Sequence, residues 1–357
     1  MASSSASQRL LELLSIDWPI VQAPMAGTST PEMAAAVSNA GGLGSIGVGA
    51  MSAKAAGDAI AAFRARCSRS LNINVFCHRS ARPDPAREAA WLERLRPEFE
   101  AVKGAAPATL EEIYKSFIVD EAMLTTMLTA KPKVVSFHFG LPSDDWIRAL
   151  RAAGIVLLGT ATSLAEASAN VAAGVQVVVA QGYEAGGHRG TFDPDGPDDQ
   201  LGTFALTRLL TRKLNVPVVA AGGIMDGQGI AAALRLGAGA AQLGTAFVGT
   251  DESAADAGYR AALFSDAANH TVMTRAISGR PARCLANRFT ALGAHVSPSD
   301  IACYPIAYDA GKSLNAAAKA VGEAGYGAQW AGQGAPLARS LPAGKLVATL
   351  VDELKGA

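Results

Sequence analysis

Residues 180–192, AQGYEAGGHRGTF, follow the apolar run VQVVV and place His188 directly behind two glycines. An imidazole exchanges a proton near neutrality and can orient or neutralise an anion. Gly186, Gly187 and Gly190 offer no side chain to shield the ring, which makes His188 the strongest catalytic candidate of the chain. Among the other four histidines, His138 in FHFG reads either as a core histidine or as a second ring at the same mouth. His78 is the more peripheral. Three histidines raise the question of a metal, but no carboxylate accompanies them at ligand spacing, and none is expected.

Glycine-rich turns point to a second kind of chemistry. AAGGIMDGQG and QLGTAF each leave an apolar run through such a turn. Gly222 and Gly223 let the backbone approach a ligand closely, while Gly244 and Thr245 offer an N–H and a hydroxyl. Two such turns together suit a phosphate. The uncharged turn APMAG, with Pro24 and Met25, suits the face or edge of an aromatic ring. In NIN, strand alternation puts Asn72 and Asn74 on one face, where an amide can pair with ring carbonyl and N–H groups. Gln181 and Gln242 read likewise. The ligand described is a phosphorylated planar heterocycle such as FMN. A nicotinamide site is not indicated, because GGLGSIG precedes a strand where the dinucleotide fingerprint must follow one.

Eight apolar runs must position these residues: 19–25, 43–48, 71–76, 134–140, 155–161, 175–182, 217–224 and 240–248. Ala-rich helical segments separate them. In TPEMAAAVSNAGG, Thr30 is the N-cap, Pro31 the first helical residue and Gly41 the stop. Ser163 and Gly174 repeat that grammar in SLAEASANVAAG. Strands apolar on both faces imply a parallel sheet covered by helices. Eight such units imply a (β/α)8 TIM barrel, whose active site lies at the C-terminal strand ends, where all the candidates above fall. The barrel occupies residues 1–249, with a helical insertion at about 80–118. Residues 250–334 show no clear strand and read as a mostly helical lid or substrate domain. Residues 335–357 read as an amphipathic helix packing back on the barrel, through Leu346, Val347, Leu350, Val351 and Leu354.

Composition narrows the partners. Lys+Arg and Asp+Glu both number 31, and no basic stripe is visible, which argues against nucleic acid. No apolar run reaches the length of a membrane span, and the N-terminal stretch MASSSASQRLLELLSIDWP shows no leader pattern. The four cysteines, Cys67, Cys77, Cys284 and Cys303, form no C-x-x-C pair. A cytoplasmic protein with a small-molecule partner is expected, as a monomer or weak homodimer.

With these motifs in hand, the sequence resembles the nitronate monooxygenase family, class I, along nearly its whole length. APMAG, NINVFCH, GYEAGGHRG, AAGGI and QLGTAF resemble the FMN-barrel motifs of that family. CYPIAYDAGKSL and YGAQWAGQGAPLAR resemble its C-terminal motifs. The resemblance implies oxidation of alkyl nitronates, propionate 3-nitronate especially, by O2 to a carbonyl compound plus nitrite or nitrate, detoxifying them. It implies FMN contacts at Pro24, Met25, Ala26, Asn74, Gln181, Gly186, Gly222, Gly223, Gln242, Leu243, Gly244 and Thr245. It makes His188 the active-site histidine and places His138, Tyr304, Tyr308 and Lys312 around the substrate. Tyr304, Tyr308 and Lys312 also fall at i, i+4 and i+8, one face of a helix offering hydroxyl and ammonium donors to an anion. Two other readings stay open: a flavin-dependent enoyl-thioester reductase using NAD(P)H, and a non-catalytic FMN-binding protein.

Overall fold

The computed structural model describes residues 5–357; the first four residues of the stretch read above for a leader lie outside the described residues. Each of the eight apolar runs contains a strand: β1 (Ile20–Gln22), β2 (Gly44–Gly47), β3 (Leu71–Phe76), β4 (Val134–His138), β5 (Val156–Ala161), β6 (Val177–Gln181), β8 (Val218–Ala221) and β9 (Ala240–Leu243). The short β7 (Gly187–His188) intervenes after β6. The eight pair in the order β1-β9-β8-β6-β5-β4-β3-β2. The ring closes where Gln22 donates its N–H to Leu43 at 3.0 Å and Leu43 donates to Ile20 at 2.9 Å. The fold is the expected (β/α)8 barrel.

Sequence chemistry explains the helix starts. Thr30 and Ser163 accept hydrogen bonds from the N–H groups of Met33 and Glu166. Each satisfies a donor that the first turn leaves unpaired. Inside the barrel, Val134, Val156, Val177 and Val219 pack against Leu10 and Leu14 of the N-terminal helix, Ser5–Leu14. These valines lie in the N-terminal halves of their strands, so that helix plugs the barrel floor and leaves the opposite mouth for a site. Leu10 and Leu14 are fully buried, and truncating either to alanine would cost about 2–5 kcal/mol. The last helix, Ala343–Lys355, buries Leu346, Val347, Leu350 and Val351 in a cluster shared with Met33, Val37, Ile230 and Ala233 of two barrel helices. No helix among the described residues is long and apolar enough to cross a membrane.

The segment 250–334 departs from expectation. Its helices are joined by long irregular stretches, and it also contains β10 (Thr271–Thr274) and β11 (Ala282–Leu285). These form an antiparallel sheet in the order β10-β11-β7, with His188 opposite Ala282. Four-residue strands carry too little periodicity to register against their Ala- and Arg-rich surroundings. The insertion contributes the helix Pro85–Ala101, whose Trp91, Leu95 and Phe99 pack with Ala307, Ala310 and Leu314 of the helix Ile306–Ala320. Insertion and C-terminal segment therefore share one core above the barrel mouth.

Candidate active site

A cavity of about 370 Å³ opens at the C-terminal strand ends. His188 reaches it from β7, and two side chains hold its carbonyl oxygen. Gln181 Nε2 donates to the His188 carbonyl at 3.0 Å and His138 Nε2 lies 3.3 Å from the same oxygen, while the next residue, Arg189, donates its N–H to the Pro281 carbonyl at 2.8 Å. Thr160 Oγ1 sits 3.0 Å from His138 Nδ1. The arrangement fits a Thr160 hydroxyl donating to Nδ1 and a His138 Nε2–H donating to the carbonyl. On the far side, His188 Nε2 lies 2.9 Å from Ser278 Oγ.

Aromatic rings enclose the imidazole. Trp330 lies 5.0 Å, Tyr304 5.5 Å, Phe139 5.7 Å and Tyr308 5.9 Å from it, centroid to centroid. Phe139 holds φ at +73°, a conformation rare for a bulky residue and costing on the order of 1–3 kcal/mol. That turn lets its ring stack with Arg280, whose guanidinium carbon sits 4.1 Å from the centroid.

Electrostatics follow from this enclosure. Burial pushes the His188 imidazole down to about 3, with His138, Arg280 and His78 adding repulsion. Burial and then Arg280 push His138 and His78 each to about 4. All three are neutral near pH 7. Arg280 is lowered to about 10, chiefly by burial, and stays cationic. Burial raises the Tyr304 and Tyr308 phenols, so both remain O–H donors. The Tyr304 hydroxyl is buried and has no partner among the described residues. Asp256 is the only carboxylate in the cavity lining among the described residues, and Lys319 pairs with it at 2.5 Å. At the exposed mouth, the Lys312 ammonium lies 4.6 Å over the Tyr114 ring and 5.4 Å over Tyr308. The cavity thus offers donors and positive potential with almost no opposing charge, which is the chemistry of an anion site.

Of the residues expected at the site, Pro24, Met25, Ala26, Asn74, His138, Gln181, Gly186, His188, Gly222, Gly223, Gln242, Gly244, Thr245, Tyr304, Tyr308 and Lys312 line this cavity. Leu243 does not. Its side chain is buried in the outer core with Met33 and Phe247, because alternate strand residues face opposite sides and Gln242 takes the inner one. Asn72 is also displaced, its Nδ2 donating to Ser45 Oγ deep in the barrel. Gln181 spends both amide groups on the protein, accepting from Gly190 N–H at 2.7 Å and donating to His188. Gly186 is needed for packing, since a Cβ there would lie 2.5 Å from Gly332 N. Tyr304 precedes its helix, at a cis bond to Pro305, so only Tyr308 and Lys312 share the helix face. His78 does not line the cavity, as expected, but lies buried behind it, 1% exposed with its ring 5.0 Å from Tyr304.

Ser278, Arg280, Phe139 and Trp330 were not singled out by sequence reasoning. They reach His188 from distant segments, and no local spacing marks them. Tyr114 of the insertion also lines the cavity. No group of three or more His, Cys, Asp or Glu side chains able to hold a metal occurs among the described residues.

A barrel with a largely apolar cavity at its strand exits, a few convergent polar groups and a neutral histidine in it, and a second layer over it defines a small-molecule enzyme of the TIM-barrel class. The chain belongs to the nitronate monooxygenase family: the family model described as Nitronate monooxygenase matches residues 7–353. It is 62% identical to a nitronate monooxygenase of Paraburkholderia phytofirmans, over 99% of this chain and 97% of that protein. It is 52% identical to one from Pseudomonas aeruginosa, over 98% of this chain and 100% of that protein. Among solved structures it is similar to a nitroalkane oxidase from Streptomyces ansochromogenes, with a TM-score of 0.89 and 41% identity over 99% and 98% of the two chains. Family, barrel fold and enzyme class agree with the expectations from sequence.

Proposed function

We propose that this enzyme uses FMN and O2 to oxidise alkyl nitronates, propionate 3-nitronate foremost, to a carbonyl compound plus nitrite or nitrate, and so detoxifies them. The observation that carries the reading is the unpartnered Tyr304 hydroxyl beside neutral His188, in a cavity whose one carboxylate is already paired. A nitronate is an anion with two oxygen acceptors, and such a site meets it with hydroxyl donors and no repulsion.

The residues present fit FMN. Gly222 and Gly223 hold φ at +120° and +71°, and their N–H groups and that of Gly244 find no acceptor among the described residues. These donors, with the Thr245 hydroxyl, would hold the phosphate. The Gln242 amide would meet the ring edge, and the Pro24–Met25–Ala26 turn would flank its face. Bound there, FMN supplies the electron acceptor and the partner for O2. The protein's own part is to bind and to orient. Tyr304 and Tyr308 donate to the nitronate oxygens, His188 faces the reacting carbon, and Lys312 meets a substrate carboxylate at the mouth. In this reading residues 1–249 carry the cofactor, and the lid of 250–334 supplies the tyrosines and lysine. The enzyme works in the cytoplasm as a monomer or weak homodimer.

The test is oxygen uptake by the flavin-loaded protein given propionate 3-nitronate, with nitrite and nitrate assayed in parallel. Nitronate-dependent O2 consumption with nitrogen oxyanion release is expected. No uptake, or flavin bleaching by NADPH with turnover of an enoyl thioester, would overturn the reading.

A further inference from the structure

The glycine turn after β8 is gripped from outside the barrel. Beyond Gly222 and Gly223 the chain runs through Met225 into the barrel helix Gly227–Arg235. Asp226, the N-cap of that helix, accepts from Gly229 N–H at 2.8 Å, so the Gly227 N–H needs another acceptor. Glu353 of the last helix supplies it, its Oε2 accepting from Gly227 N–H at 2.8 Å. Arg339 completes the clip. Its Nη1 donates to Glu353 Oε1 at 2.7 Å, while its Nη2 reaches Oε2 at 3.2 Å and the Met225 carbonyl at 3.4 Å. Neither the Gly227 N–H nor the Met225 carbonyl has another partner among the described residues.

Packing allows the turn little freedom on this side. A Cβ at Gly227 would lie 2.3 Å from Leu354 N, and one at Gly334 would lie 2.8 Å from Gly223 O. The turn therefore touches the backbone of the C-terminal segment directly, at both its start and its end. The ion pair itself is 27% and 33% exposed, and such a pair adds little as Coulomb attraction. Its weight lies in placement, because both partners also bond the backbone that follows Gly223. Charge alone would act with the opposite sign. If Glu353 were only a nearby anion, its removal would free the Gly227 N–H and favour a bound phosphate. If it holds the turn, its removal lets the Gly222 and Gly223 donors drift and weakens phosphate binding. The close contacts at Gly227 and Gly334 favour the second.

We propose that Glu353, locked by Arg339, is a positioning residue that couples docking of the C-terminal helix to retention of the cofactor phosphate. This rests on the functional reading above, which puts the FMN phosphate at Gly222 and Gly223, and adds to it a control from the far end of the chain. The coupling is reciprocal: a ligand that needs the turn in place also tightens the last helix on the barrel.

The test is titration of full-length apoprotein, prepared from the flavin-loaded enzyme, with FMN and with riboflavin, which lacks the phosphate. Flavin fluorescence reports binding. E353A should lower the FMN-to-riboflavin affinity ratio about tenfold, through FMN alone, since one charge-assisted bond to the turn is lost. E353Q keeps an oxygen for the Gly227 N–H and should recover most of the ratio. A general loss of stability would weaken both flavins alike and leave the ratio where it was. A ratio unchanged or raised in E353A therefore overturns the proposal. If E353A does not fold, hydrogen exchange of the wild-type apoprotein decides instead. FMN should slow exchange at Gly227 and along residues 346–354, and riboflavin should not; equal protection by the two overturns the coupling. Wild-type protein that binds riboflavin as tightly as FMN would defeat the phosphate placement in the functional reading, a different result from either of these.

Discussion

His138 Nε2 lies 3.3 Å from the carbonyl oxygen of His188, the same oxygen that Gln181 Nε2 reaches at 3.0 Å. One histidine thus holds the backbone of the other. The duty is structural, yet its consequence is catalytic, because a small displacement of a reacting group is costly in rate. Replacing His138 by phenylalanine keeps a ring but removes the donor. We expect about a tenfold loss of kcat with FMN still bound. Full activity in that variant, measured by oxygen uptake, would show that Gln181 alone suffices.

Burial has a cost in acid. His78, His138 and His188 are held below the ordinary histidine value, at about 4, 4 and 3. In the unfolded chain they titrate near 6.5. Their neutral burial is therefore compatible with stability above about pH 6.5. As pH falls toward the folded values the unfolded state binds more protons and stability is lost, at most about 1.4 kcal/mol per pH unit for each. The Tm should drop steadily between pH 7 and pH 5. A flat Tm over that window would contradict the burial argument.

Gly222 is a sharper probe of the cofactor turn. Its φ of +120° is closed to side chains, and a Cβ would lie 2.7 Å from Thr203 Oγ1. Gly222→Ala should strain the turn by about 1–3 kcal/mol. FMN affinity should then fall by about tenfold, measured by titrating the apoprotein. Unchanged affinity would take this turn out of cofactor binding.

Lys312 separates two kinds of nitronate. It pairs with no carboxylate among the described residues and stands at the mouth beside Tyr114 and Tyr308. Lys312→Met should raise KM for propionate 3-nitronate about tenfold and leave an uncharged alkyl nitronate nearly unaffected, since a charge-assisted bond is lost only with the former. Equal effects on both would assign the lysine to packing.

How much of this was legible in the sequence depends on the range of the interactions. The barrel was, because its eight apolar runs and the caps at Thr30 and Ser163 are local signals. His188 and the turn at Gly222 and Gly223 were legible for the same reason. The β10 and β11 strands were not, being too short to show a period. Ser278 and Trp330 were not either, since they lie 90 and 142 residues from His188 and meet it only in the folded chain. The glycines of GYEAGGHRG looked like room for a ligand. Gly186 and Gly190 are required instead because Gly332, and Thr160 with His138, occupy the space a Cβ would need. Leu243 could have been set aside from sequence: a strand that turns Gln242 inward must turn its neighbour out.

The proposed reaction is that of a nitronate with FMN bound in the cavity of His188. It is tested most directly by mixing the purified yellow protein with propionate 3-nitronate in the absence of oxygen and following the flavin absorbance. Prompt change of the flavin spectrum, slowed in His188→Asn, is the result the account requires. A flavin spectrum that stays as it was, in a protein shown to hold FMN, would contradict it.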